Sequence, residues 1–263
     1  MRAAKEPRLL VEERRRRILQ MLEERGRVTV NELVGEFGVT TVTVRGDLDA
    51  LAKSRSLQRS HGGAVRVLGT SPDYPVRFKE ALHQEEKARI GLAAARLVKP
   101  DQTVILDSGT TTRAVARALK GQGPGPFTVI TNSLDISMDL ADLLQASVIL
   151  VGGLLRKVSR SFVGPQAEQM MHQIHADHLF LGVDGITLDA GPSTPDILEA
   201  QLNALMVQAA GEVTIVSDAS KFGRRSLSVI CPMRSVRRVI TDRGVPPATV
   251  RELEQMGVEV IVA

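Results

Sequence analysis

Apolar residues recur at helical spacing in three short blocks near the start of the chain: Ile18, Leu19 and Leu22; Leu33, Val34 and Phe37; Val44, Leu48 and Leu51. After residue 100 the pattern changes. Short β-rich runs at 103–106, 128–131, 148–151, 178–183, 213–217, 238–241 and 258–262 take over. Amphipathic stretches at 113–119, 134–144, 166–174, 197–210 and 248–256 lie between most of them. Runs apolar on both faces that alternate with helices predict a mainly parallel sheet covered on both sides. The stretch 69–77, with two prolines and several turn residues, predicts a linker. The chain therefore divides into a small helical module at 10–66, a linker at 67–83 and a larger α/β domain at 84–263.

In the first module, residues 14–22 predict a basic amphipathic helix ended by Gly26. Thr29-Val30-Asn31-Glu32 fits a capping box that starts a second helix, which Gly38 stops. Thr40 or Thr41 can cap a third, running to about Lys53. Two short helices joined by a turn containing Gly38 make a helix-turn-helix, with the third helix in the recognition position. Thr41, Thr43, Arg45 and Asp49 fall off its apolar stripe. An arginine can pair bidentately with guanine, a threonine can touch a thymine methyl, and a helix N-terminus attracts phosphate. Residues 57–65 alternate and contain Gly62-Gly63, which predicts a two-stranded hairpin, or wing. The candidate DNA contacts are Arg17, Thr29, Thr40, Thr41, Thr43, Arg45, Arg59 and His61. A three-helix protein-interaction module is the competing reading.

Charge supports the nucleic-acid reading. Residues 1–66 hold 14 Lys and Arg against 9 Asp and Glu, so the whole net charge of +4 resides there and the remainder is near neutral. A basic head on a neutral body fits a polyanion-binding module joined to a domain with another task, although Arg14 to Arg17 could equally be a solvated helix face.

In the second domain the run Thr103–Leu106 leads into Asp107-Ser108-Gly109-Thr110-Thr111, and a helix follows. Glycine admits close approach, hydroxyls donate, and the helix end is partly positive, which together fit a phosphate. The same residues also serve as ordinary helix caps. Further polar turns follow other strands: Asn132, Gly152 and Gly153, Asp184, and Lys221. In open α/β sheets ligands bind outside the carboxyl ends of the strands. The candidate effector-binding residues are thus Asp107, Ser108, Gly109, Thr110, Thr111, Asn132, Gly152, Gly153, Asp184 and Lys221.

Two resemblances join these readings. Residues 17–19, the run Val39-Thr40-Thr41-Val42-Thr43-Val44-Arg45-Gly46-Asp47-Leu48 and His61-Gly62-Gly63-Ala64 resemble the winged helix-turn-helix of DeoR-family transcriptional regulators. That family carries a basic or polar residue where this chain has Gly46. The strand-end motifs, with Ser161-Phe162-Val163-Gly164 and Asp218-Ala219-Ser220-Lys221-Phe222-Gly223, resemble the same family's C-terminal sensor domain. The resemblance implies a fold similar to ribose-5-phosphate isomerase and glucosamine-6-phosphate deaminase. Residues 161–168 and 199–203 look most like the amino-sugar subgroup, which includes regulators of the N-acetylgalactosamine pathway. A phosphorylated hexosamine or its ketose is implied as effector, and release from DNA is the family's usual response.

Other signals lead elsewhere. His172, His175 and His178 recur every three residues, but on a helix the first and last lie about 240° apart, so no zinc site is expected. Gly121-Gln122-Gly123-Pro124-Gly125 precedes a strand and is read as a loop, not a dinucleotide fingerprint. Cys231, the single cysteine, cannot form an internal disulfide and favours a reducing compartment. No apolar run reaches the roughly 20 residues of a membrane span, and the charged start of the chain is unlike a signal peptide. The expectation is a cytoplasmic homo-oligomer, a dimer or higher, that binds double-stranded operator DNA and a small phosphorylated sugar, without a cofactor. An isomerase or deaminase with a basic arm is the alternative, with Asp107 or Asp184 as base and Lys221 stabilising an enolate. It lacks a second acid or base in the loops read above.

Overall fold

Gly26 ends the first helix, α1 (Val11–Arg25), and its N–H closes back on Leu22. The chain then forms β1 (Arg27–Thr29), α2 (Val30–Phe37) and α3 (Thr41–Lys53). Between α2 and α3, Gly38 has φ of 59°, a conformation a Cβ disfavours. The tight turn therefore depends on glycine. The hairpin β2 (Gln58–Ser60) and β3 (Gly63–Val65) follows. Its inner strand also pairs antiparallel with β1, so the predicted two-stranded wing is part of a three-stranded sheet. β1 escapes a pattern reading because three residues with one buried, Val28, are too few for a periodic signal. Ile18, Leu22, Leu33, Val44 and Leu48 are fully buried between the helices.

The structure, a computed structural model, describes residues 10–53, 56–65 and 73–263. It falls into two units, divided between Tyr74 and Pro75. Residues 67–72 of the expected linker lie outside the described residues. The rest of that stretch is not extended: it contains helix α4 (Val76–Glu80), which buries Val76 and Phe78. The N–H of Val76 donates to Val158 O, tying α4 to the α/β unit.

That unit continues with α5 (Gln84–Ala95), β4 (Thr103–Leu106), α6 (Thr110–Gln122), β5 (Phe127–Thr131), α7 (Leu134–Leu140) and β6 (Ala146–Leu150). Next come β7 (Leu154–Arg156), β8 (Ser161–Val163), α8 (Pro165–Met171), β9 (Ala176–Leu181), β10 (Gly185–Thr187) and β11 (Gly191–Thr194). The chain closes with α9 (Ile197–Ala209), β12 (Ala210–Val216), β13 (Ser228–Val229), β14 (Arg238–Thr241), α10 (Pro247–Gln255) and β15 (Glu259–Val262).

Seven strands form one parallel sheet in the order β15-β14-β12-β9-β4-β5-β6. Successive side chains of a strand face opposite ways. Val104 and Leu106 accordingly join a core with α5, α6 and α7, while Ile105 joins a second core with α8, α9 and α10. The strand order runs outward in both directions from the β4–β9 pair, which makes the gap at their carboxyl ends the topological switch point. Short antiparallel pieces, β7–β8 and β10–β11–β13, are added outside this sheet.

Candidate functional site

On α3 the buried stripe is Val44, Leu48 and Leu51, and this leaves Thr41 and Arg45 exposed. Thr40 is the residue that caps the helix: its hydroxyl accepts from Thr43 N at 3.2 Å and bonds the Thr43 hydroxyl at 3.0 Å. Thr29 is engaged the same way, accepting from Glu32 N at 3.2 Å while Glu32 reaches back to Thr29 N at 2.7 Å. Val42 stands 79% exposed between Thr41 and Thr43. Sequence reasoning passed over it, although an apolar residue off the stripe was its visible signal.

The basic residues divide. Arg14 is buried, not solvated: its Nε lies 2.5 Å from Asp47 Oδ2, and Arg15 Nε lies 2.9 Å from Asp47 Oδ1. These two arginines hold α1 against α3. Arg17 remains on the surface, where it bonds Gln20 at 3.0 Å. Arg59 is committed to structure, with Asp49 on α3 at 3.0 Å and Gly63 O at 2.8 Å, so it braces the hairpin against the recognition helix. His61 is exposed at the hairpin turn. At Gly46 nothing lies within 4 Å of an added Cβ. Replacement by arginine therefore removes a helix penalty of about 1 kcal/mol and adds a cation. Gly46→Arg is expected to tighten DNA binding and to steepen its salt dependence in a gel-shift titration at several salt concentrations.

In the α/β unit every strand-end turn emerges at the same edge, because the seven strands are parallel. Asp107 follows β4 and Gly182 follows β9. Asp107 Oδ1 accepts from Gly182 N at 3.0 Å and from Gly109 N at 3.2 Å, locking the two turns together at the switch point. Burial pushes this carboxyl up to about 7, against the pull of those N–H groups. Asp184 is ion-paired to Lys79 on α4 at 2.6 Å. Burial opposes its charge, yet Lys79 and Lys221 hold it below the usual carboxylate range. Asp218 behaves alike: burial raises it, and Lys221, the Ser220 hydroxyl, His83 and Lys87 outweigh that.

Lys87 Nζ donates to the carbonyls of Lys79 and Leu82 at 2.5 and 2.7 Å, and burial lowers it to about 8. The Lys221 N–H donates to Asp218 O at 3.2 Å, while its ammonium forms neither a hydrogen bond nor an ion pair among the described residues and lies close enough to influence Asp184 and Asp218. The strand-end turns thus meet a cluster of lysines that the sequence reading did not assemble, because Lys79 falls in the expected linker and Lys87 on an unassigned helix.

A second missed group comes from the antiparallel additions. Glu199, in the first turn of α9, accepts from Ser161 at 3.0 Å and Thr194 at 3.3 Å, and lies 3.4 Å from Arg156. Arg156 also pairs with Asp196 at 3.0 Å. The edge therefore holds a further buried carboxylate near Asp107, on α9 and outside the strand-end loops. Asn132 is fully buried and donates to Phe162 O at 3.0 Å, so it anchors β8. Gly152 and Gly153 follow β6, two strands from β4 and hence about 10 Å away. At Gly153 a Cβ would meet Val163 O at 2.7 Å, which gives that glycine a packing role. The three histidines occupy separate environments. His172 caps α8, His175 is exposed, and His178 on β9 bonds Thr214 at 2.7 Å and stacks on Phe180.

The comparisons with known proteins cover both units. Residues 14–68 match the DeoR-like helix-turn-helix domain, and residues 82–243 match the DeoR C terminal sensor domain. Over 252 residues the chain is 40% identical to a putative aga operon transcriptional repressor of Escherichia coli O157:H7, covering 95% of this chain and 93% of that protein. It is 36% identical to the uncharacterized HTH-type transcriptional regulator YulB of Bacillus subtilis (strain 168), over 96% of both chains. Ribose 5-phosphate isomerase A from Neisseria gonorrhoeae superimposes with a TM-score of 0.40 and 16% identity, over 54% of this chain and 55% of that chain. Among the described residues no helix is long and apolar enough to cross a membrane. With both of its units matched in order and one relative aligned almost end to end, the chain belongs to the DeoR family of helix-turn-helix transcriptional regulators.

Proposed function

We propose that the chain is a cytoplasmic repressor of a sugar-catabolic operon, governed by a phosphorylated sugar of the hexosamine class. The observation that carries the effector site is the gathering of Lys79, Lys87 and Lys221 with Asp184 and Asp218 beside the β4–β9 switch point. Lysines serve a phosphate as point charges. The N-terminus of α6, with Ser108, Gly109, Thr110 and Thr111, adds N–H groups and hydroxyls. Asp184, Asp218 and Glu199 supply acceptors for sugar hydroxyls or an amine. The aga-operon relative supports an amino sugar. An effector that binds one arrangement of the protein better by about 1–3 kcal/mol would change operator affinity roughly 5–150-fold.

A regulatory role is preferred to catalysis because Asp107, the best-placed base, is 3% exposed and already holds two backbone N–H groups. Calorimetric titration with hexosamine phosphates, run beside product analysis, separates the readings. Heat without turnover supports the sensor; product formation supports the enzyme.

Lys221→Ala is expected to abolish the effector response in a gel shift and to leave operator affinity unchanged. Loss of both would point to misfolding. On DNA, Arg45 reads a base edge while Val42 and Thr41 offer apolar contact to a thymine methyl. Arg45→Ala should cost about 1–3 kcal/mol of operator affinity and relax discrimination at one base pair, with the effector titration unchanged. A uniform loss across all sequences would instead assign Arg45 to phosphate.

A further inference from the structure

α4 is the first element of the α/β unit, so the chain that carries the DNA-binding head enters that unit through it. With five residues it is too short to persist on its own backbone bonds. Its place depends on ties to the rest of the unit. Val76 N donates to Val158 O at 2.8 Å, and Glu80 is ion-paired to Arg113 on α6. Lys79 reaches Asp184 at 2.6 Å. Lys87 Nζ, on α5, closes the turn that follows by donating to Lys79 O and Leu82 O at 2.5 and 2.7 Å. That turn ends at His83, whose φ of 52° is a conformation residues with a Cβ avoid. The connection is therefore held against its own preference.

Two of these ties are made by groups of the proposed effector site. Lys87 lies within electrostatic reach of Asp218, Lys221, Lys79 and Asp184, so the five charges share one place at the strand-end edge. An exposed ion pair there would contribute little. The Lys79–Asp184 pair is different, because its side chains are only 20% and 14% exposed. What happens to that pair when an anion arrives decides whether α4 stays where it is.

We propose that α4 is a strap that the effector loosens: the sugar phosphate takes Lys79 from Asp184, and loss of that pair frees the helix through which the head is tethered. The proposal rests on the effector site described above and adds the route by which that site acts. Charge gives the direction. A phosphate monoester carries about −1.5 to −2 charges and three acceptor oxygens, against the single charge of Asp184. The entering anion also repels the Asp184 carboxylate, which keeps the neighbouring charge of Lys221 when Lys79 turns away. Lys87, drawn by the same anion, relaxes its hold on the carbonyls of Lys79 and Leu82, and the turn at His83 can then unwind. The effector thus makes different contacts in the strapped and released arrangements, which is what a shift between them requires.

Hydrogen–deuterium exchange of the full chain, read by peptide mass spectrometry with and without glucosamine 6-phosphate, tests this directly. Exchange at residues 76–82 should quicken on binding by about 5–150-fold, the usual range of coupling between sites, while exchange at 107–112 and 182–185 slows. Slower exchange at those turns with 76–82 unchanged or slowed overturns the strap and leaves the effector site standing. No change at either place means that the ligand does not bind, and both readings fall. A lock gives a second measurement. The bond from Val76 N to Val158 O holds the two residues at a separation a disulfide can span. Oxidised Val76→Cys/Val158→Cys should bind operator DNA in a gel shift and ignore glucosamine 6-phosphate, and dithiothreitol should restore the response. If the bridge does not form, exchange in the wild type decides alone. An oxidised variant that responds as fully as its reduced form overturns the proposal.

Discussion

Asp47→Ala is expected to destabilise the N-terminal module by about 3–5 kcal/mol. Asp47 is 3% exposed and receives Arg14 and Arg15, and Arg14 is itself buried. Removing the carboxylate takes from a buried guanidinium the counter-charge that Asp47 supplies, which costs far more than the pair contributes when intact. Small modules have only a few kcal/mol in reserve, so much of the DNA-binding activity at 37 °C should disappear with the fold. Chemical denaturation followed by circular dichroism measures the loss. A double change, Arg14→Met with Asp47→Leu, should recover much of the stability, because apolar groups of similar size can replace a buried pair. If Asp47→Ala melts like the wild type, the pair is not what holds α1 to α3.

Asp107→Asn should stabilise the α/β unit at alkaline pH and leave it unchanged in acid. Burial raises the Asp107 carboxyl from 3.8 to about 7 in the folded chain. Between those values the folded state binds more protons than the unfolded one, so stability falls as pH rises through that window. Three pKa units correspond to about 4 kcal/mol at pH 8. Asparagine keeps an Oδ1 to accept from Gly109 and Gly182 and cannot ionise. Thermal melts of both proteins from pH 4 to 8.5 should coincide at the acid end and diverge above about pH 5. Parallel curves would mean that the carboxyl titrates normally.

The same proton matters for the proposed effector. Neutral Asp107 does not repel a phosphate, and Lys87, lowered to about 8 by burial, loses its charge on the alkaline side. Effector affinity should therefore weaken between about pH 7 and 8.5, less steeply in Asp107→Asn.

The two-part organisation, the helix-turn-helix and the alternation of strands with helices are legible in the order of residues alone. Those features come from local causes: the stripe of Val44, Leu48 and Leu51, the turn at Gly38, the cap at Thr29, and strands apolar on both faces. The parallel sheet also brought the predicted strand-end turns to a common edge. Which charges are available and which are spent emerges only from the folded chain. Arg14 and Arg59 read as surface cations until Asp47 and Asp49, 33 and 10 residues away, are seen to hold them. Lys79 and Lys87 join Lys221 only because α4 and α5 pack beside turns more than 90 residues later in the chain. Short antiparallel pieces such as β7 and β8 carry too few residues for a periodic signal, so Arg156 has no local signature, and Glu199 on α9 gains its role only from the partners those pieces bring. Periodicity reports which face of an element is buried. Ion pairing and burial of charge depend on contacts between distant segments, and no local pattern encodes them.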